Sequence, residues 1–349
     1  MHTIEVMGMS RLSILPVLGK ICVVGLLLMS GVVKAESDPL VERREALAWL
    51  GKIQGAAQKQ NYAGTFILQH GNMVQSTRIQ HLYEWGTEYE KMEVLDGRPR
   101  VVYRQNELIQ ALIPEKKLCL IEKRDAKDTF PALIATTGNA ILEQYTVRKE
   151  DHDRIAGLDC QEISLTPNDG YRYRYRLWAD RQSGLLMRAQ TISDTGEILE
   201  QVSFSQIAIG TQLDKSKLKL KATDIQGWQQ ENIDGVPVNV AEFGWIFKPM
   251  MVPGFTKILE RKRNMPGPDG IKEVFQVIYS DGMAAISVFI EPMSSVHPAR
   301  DSMRRGATNV LFRRIHENGV VIVGETPLAT LQMFANGIEF RPPAGTAAK

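Results

Sequence analysis

The sequence predicts an α+β protein, mostly antiparallel β: one long helix, a large curved sheet, and a second, smaller β-rich unit. Three observations predict it. A helical period runs from Pro39 to Lys59. From Tyr62 the period changes to two, with turn signals about every ten residues. Between Thr211 and Gly235 the apolar pattern fades, and strand-like runs then resume.

Ahead of the helix, Arg11 and Lys20 precede a 13-residue apolar run from Ile21 to Val33, and Val33-Lys34-Ala35 ends on a small residue. This is the pattern of a cleavable export signal. A membrane anchor needs roughly 20 apolar residues, and this run is cut off at Lys20. Cleavage near Ala35, a location outside the cytoplasm and no transmembrane span are expected. Cys22 stands at the start of the apolar run, the wrong place for lipidation. Removing residues 1–35 takes three of the 42 basic residues and one of the 40 acidic ones, leaving 39 of each. That neutrality argues against a nucleic-acid binder. The 314 residues that remain exceed what one compact core usually serves. Two domains are expected, 36–210 and 236–349, joined by a linker over 211–235.

Asp38 is an N-cap residue followed by Pro39 at the first helical position. Leu40, Leu47, Leu50, Ile53 and Ala57 give the helix an apolar stripe that must lie on something apolar. The strands that follow are divided at Gly71-Asn72, Trp85-Gly86, 96–99 and Gln105-Asn106, an antiparallel meander. A short helix is expected within 129–143. Strands are then expected over 171–179, 185–193 and 198–209, joined by the turns 180–184 and 194–196. Sequential hairpins led by one helix suggest a single sheet with helices on its inner face. In the second unit, Asp281-Gly282 separates strands over 271–280 and 283–291, and Asn318-Gly319 separates 306–315 from 320–323. Thr326-Pro327 opens a last helix over 328–335, with Gly337 just past its end. Residues 236–349 carry 13 basic and 10 acidic side chains, and residues 36–235 carry 26 and 29.

The chain lacks the G-x-S-x-G elbow, H-E-x-x-H, the P-loop and G-x-G-x-x-G after a strand. His70, His81, His152, His297 and His316 are scattered without metal-ligand spacing. No catalytic residue, metal ligand or cofactor is expected, so a binding protein is favoured over an enzyme. Cys119 and Cys160 form an even pair for an oxidising compartment, either as a disulfide or as two buried thiols. Arg172, Arg174 and Arg176 alternate with Tyr171, Tyr173 and Tyr175. A strand there sets the tyrosines on the core and the arginines either in solvent or on an anionic partner or lipid headgroup. Arg300, Arg304, Arg305, Arg313 and Arg314 form a second basic cluster, again a solvated face or a partner surface.

Several strings, in order, resemble one family across the whole chain: Asn61-Tyr62-Ala63-Gly64-Thr65-Phe66, Leu95-Asp96-Gly97-Arg98-Pro99-Arg100, the Tyr-Arg alternation of 171–178, Gly196-Glu197-Ile198-Leu199-Glu200-Gln201, Val252-Pro253-Gly254-Phe255, Tyr279-Ser280-Asp281-Gly282 and Val323-Gly324-Glu325-Thr326-Pro327. They resemble the RseB/MucB family of periplasmic regulators of the sigma-E envelope-stress response. The resemblance implies a large domain like the carriers LolA and LolB, an unclosed β-barrel with helices on its concave side, and a smaller α/β domain. It also implies binding to the periplasmic part of an anti-sigma factor of the RseA or MucA kind, shielding of that factor from a DegS-type protease, release by lipopolysaccharide or related lipid, and self-association. The apolar concavity is expected at Leu50, Ile53, Phe66 and Leu68. The same carrier-like fold leaves a lipid or lipoprotein carrier as the alternative. The resemblance does not extend to the cysteine pair.

Overall fold

The computed structural model describes residues 38–123, 130, 139–248, 252–267, 270–292 and 301–342. The export signal expected over 1–35 and Arg300 lie outside the described residues. Helix α1 (Pro39–Lys59) starts where the Asp38 carboxylate accepts from the Leu40 amide at 2.9 Å. Ala46, Leu50, Ile53 and Ala57, one turn apart, are buried along one stripe, while Leu40 at the free end is exposed.

Two meanders follow α1. The first comprises β1 (Tyr62–His70), β2 (Met73–Glu84), β3 (Thr87–Val94), β4 (Val101–Gln105), β5 (Leu108–Ile113) and β6 (Leu118–Lys123). A short helix α2 (Asn139–Gln144) leads into the second: β7 (Tyr145–Ile155), β8 (Leu158–Pro167), β9 (Arg174–Asp180), β10 (Leu186–Ile192) and β11 (Ile198–Ile209). The antiparallel pairing of β1 with β11 joins them into one sheet, ordered β6-β5-β4-β3-β2-β1-β11-β10-β9-β8-β7. A twelfth strand, β12 (Gln229–Asn232), adds in parallel to β6. The outer strands β12 and β7 do not pair with each other, so the sheet stays unclosed. α1 packs on β2, β7 and β10, and its stripe shares one core with Tyr62, Phe66, Ile79, Ile163, Leu177 and Phe204. Gly64 sits where a Cβ would come within 2.5 Å of the Gln206 carbonyl oxygen, beside a register shift between Thr65 and Phe66.

The second sheet uses β13 (Gly235–Pro237), β15 (Thr256–Gly267), β16 (Gly270–Ser280), β17 (Ala285–Pro292), β18 (Ser302–Arg305), β19 (Thr308–Ile315) and β20 (Asn318–Gly324), while β14 (Trp245–Phe247) pairs with β21 (Ile338–Phe340). Helix α3 (Leu328–Asn336) covers β19 and β20 with Leu331 and Phe334, within a core that includes Trp245, Val277, Val288 and Ile322.

Four expectations change. The 211–235 segment is held along the first sheet, because Leu218 and Ile225 are buried there and β12 completes the edge. β18 was not foreseen, since three of its four residues are exposed and they carry no period-two apolar pattern. β9 begins at Arg174 rather than Tyr171, because the three preceding residues are engaged elsewhere. Finally, both cysteines are free and buried in separate clusters: Cys119 with Leu112 and Ile225, Cys160 in the core beneath α1. Their strands, β6 and β8, stand nine places apart in the sheet order, so no disulfide forms.

Candidate functional site

Arg172 is the first predicted binding residue to be reassigned. Its side chain is fully buried. Nε donates to Asp281 Oδ2 at 2.6 Å, Nη2 donates to the Pro253 carbonyl, Nη1 pairs with Asp169, and the guanidinium lies 4.8 Å from the Phe255 ring centroid. Asp281 is bound on every side, accepting also from the Tyr145 hydroxyl at 3.1 Å and from the Met283 and Ala284 amides. Arg172 therefore clamps the first sheet to the β16–β17 turn and does not meet an anionic partner. Arg174 is exposed. Arg176 is half-buried and makes a fork to Glu162, at 2.6 and 2.9 Å, with its guanidinium over Trp178. That hydrogen-bonded carboxylate raises the Arg176 pKa. Glu150, Asp151 and Glu162 line the cleft beside Arg174 and Arg176, so this face is mixed in charge and Arg176 is already neutralised.

The second cluster divides. Arg304 and Arg305 sit on β18, opposite Asn309 and Thr308 at the start of β19, while Arg313 and Arg314 lie at its far end. Five residues of strand separate the two pairs by roughly 15 Å, so no single patch gathers all four. Arg304 faces Glu197 at 3.8 Å, and the turn after Arg305 packs on the first sheet: a Cβ on Gly306 would come within 2.6 Å of His70 Cβ. Arg313 donates to Asn336 at 3.0 Å, and Arg314 donates to the His316 carbonyl. A groove of about 350 Å³ opens beside them, lined by Leu311, Phe312, Gln332 and Asn336.

The expected apolar concavity is filled. Leu50 and Ile53 have at most 1% exposure, Phe66 packs edge-to-face with Phe130 and Phe204, and Leu68 packs against the same core.

What sequence reasoning missed is the seam between the two sheets. Asn309 donates to the Tyr173 hydroxyl at 3.0 Å, and the Thr330 hydroxyl donates to the Tyr171 carbonyl at 2.9 Å. Arg261 and Arg263 both reach the buried Glu122, each at 2.9 Å. Glu200 takes part too. Burial and the nearby Glu325 charge push its pKa up to about 7, against the Ala307 amide hydrogen bond and Arg305. The only linear signal for this seam is the Tyr-Arg alternation itself. A second unforeseen group joins His81 to Glu88 and Glu90, whose ligand atoms lie within 4.8 Å of one another.

Comparison with known proteins adds the relationship. The family model described as the MucB/RseB N-terminal domain matches residues 45–222, and that of the MucB/RseB C-terminal domain matches 239–339. The sigma factor AlgU regulatory protein MucB of Pseudomonas aeruginosa is 27% identical over 332 residues, 91% of this chain and 97% of that protein. The sigma-E factor regulatory protein RseB of Escherichia coli K12 is 28% identical over 299 residues, covering 84% and 90%. The crystal structure of MucB in complex with MucA(peri) superposes with a TM-score of 0.63 at 25% identity, over 86% of this chain and all of that one. Mostly antiparallel sheets, an unclosed first sheet and two family models matched in order give one conclusion: the chain belongs to the MucB/RseB family.

Proposed function

We propose that this protein is an exported, periplasmic regulator that binds the periplasmic segment of an anti-sigma factor of the MucA or RseA kind. Bound there, it shields that segment from a DegS-type protease and so restrains a sigma-E-type response, until lipopolysaccharide or a related lipid loosens the hold. The observation that carries the reading is the match, over 86% of the chain, to a structure of MucB complexed with MucA(peri). Two lobes, 36–210 and 236–349, are proposed to grip the partner together, with 211–235 tying them. Among the described residues no helix is long and apolar enough to cross a membrane, so membrane attachment would come through the partner.

The test is a cleavage assay. Excess folded protein should slow DegS-type cleavage of the anti-sigma periplasmic segment at least ten-fold, and added lipopolysaccharide should restore the rate. An unchanged rate with folded protein in excess refutes the proposal. Self-association is checked in the same preparation by light scattering.

A further inference from the structure

Strands β1, β2 and β3 set four polar side chains in one row on the inner face of the first sheet. The register pairs Tyr62 with His81 and His81 with Glu90, and Glu88 lies two residues before Glu90 on the same face. His81 has no exposed side-chain surface, Glu90 is buried, and the Glu88 side chain keeps 12% exposure, which leaves a path in from solvent. Nδ1 of His81 lies 2.7 Å from the Gln60 carbonyl oxygen just past the end of α1. A carbonyl only accepts, so Nδ1 carries a proton and donates it. Nε2 is then the nitrogen turned to Glu88, 2.8 Å away. An imidazole anchored through one nitrogen to a backbone carbonyl, with the other aimed at carboxylates, is the arrangement that orients a metal-ligating histidine.

A second observation points to a missing ligand. The Tyr62 hydroxyl is wholly buried and has no hydrogen-bond partner. Its ring stacks on His81 with centroids 4.8 Å apart, and burial together with the Glu90 and Glu88 charges raises its pKa well above the ordinary value. A buried hydroxyl that lacks a hydrogen-bond partner is costly, and a water on a bound ion would satisfy it.

We propose that His81 Nε2, Glu88 and Glu90 bind a divalent cation of the zinc class, with a water in the fourth position hydrogen-bonded to Tyr62. One nitrogen and two carboxylate oxygens suit a borderline ion rather than calcium or magnesium. Tetrahedral bonds of about 2.0–2.1 Å separate ligand atoms by about 3.4 Å, so the three ligand atoms, now within 4.8 Å of one another, draw together on binding. Arg104 stands across from Glu90 in the register, its Nε donating to the Asn106 carbonyl. The ion would pin the β2–β3 hairpin to the end of α1.

The test titrates the chelator-stripped protein with zinc chloride against a chromophoric chelator. One equivalent is expected, with a rise in Tm. Glu88→Gln and Glu90→Gln should each weaken binding at least about ten-fold, and Tyr62→Phe by a similar or smaller factor. Cys119→Ser with Cys160→Ser should change nothing. X-ray absorption at the zinc edge on the unaltered protein reads the ligands directly, so the proposal stays testable should a Gln variant unfold. Nitrogen and oxygen ligands without sulfur support the site. No bound equivalent, sulfur coordination, or affinity unchanged in both Gln variants overturns it.

Discussion

Arg172 and Asp281 are both removed from solvent, which sets the sign of what happens when either is lost. A buried ion pair adds little over an apolar pair, but removing one partner strands the other charge and costs about 3–5 kcal/mol. Arg172→Ala and Asp281→Ala should each lower the denaturant midpoint by that order, and the double variant should lose less than the two losses added. An additive cycle would mean the two side chains do not depend on each other. Glu200 shows a different sign. Its carboxyl titrates at about 7 in the folded protein and near its ordinary value, about 4.3, when unfolded. The folded state thus holds the extra proton between these values, and stability falls as pH rises through that window. Glu200 keeps some solvent contact, so screening reduces the effect to the order of 1 kcal/mol. Thermal melts between pH 5 and 8 should show the decline, and Glu200→Gln should flatten it.

At the scale of elements, Gly64 marks a close approach of β1 and β11. Gly64→Ala forces a Cβ against the Gln206 carbonyl oxygen, and overpacking of this kind costs about 1–3 kcal/mol, measurable by urea denaturation. The β18–β19 hairpin presents Arg304 and Arg305, while Arg313 and Arg314 belong to the groove beside α3. Under the proposed function, alanine at Arg313 and Arg314 should weaken anti-sigma binding and reduce its salt dependence. The Arg304 and Arg305 pair should act separately, with losses that add; equal losses that fail to add would mean one shared patch.

This division also shows what the sequence made legible. α1, the hairpins at Trp85-Gly86 and Asp281-Gly282, and β11 were all readable, because local period and turn chemistry dictate them. Arg172 was not, because its burial depends on Asp281, 109 residues away. The group of His81, Glu88 and Glu90 hid for the same reason: its geometry comes from strand register, not from linear spacing. Leu50 and Ile53 were rightly placed on the face of α1 toward the sheet, yet whether that face is open or filled depends on Phe66, Phe204 and the fit of the helix.

For the whole molecule, the two sheets carry separate apolar cores, joined by a seam rich in buried polar contacts. Arg172 to Asp281, Tyr173 to Asn309 and Glu122 to Arg261 and Arg263 form that seam. Apolar crossings also occur among the described residues: Tyr171 packs against the second core, Met283 against the first, and Tyr173 and Leu199 form a small buried cluster with Ala307. Buried polar seams are directional, so they hold one orientation well and lose it abruptly when a member is removed. Calorimetry of the unaltered protein should therefore give one cooperative transition. Combining Arg172→Ala with Asn309→Ala should split it into two, since each core remains intact while the coupling between them drops. One transition persisting in the double variant would place the coupling in the apolar contacts of Tyr171, Met283 and the Tyr173, Leu199 and Ala307 cluster instead. If two lobes grip the anti-sigma segment together, the same double variant should bind it more weakly although both residues are buried, because the orientation of the lobes is no longer fixed before binding.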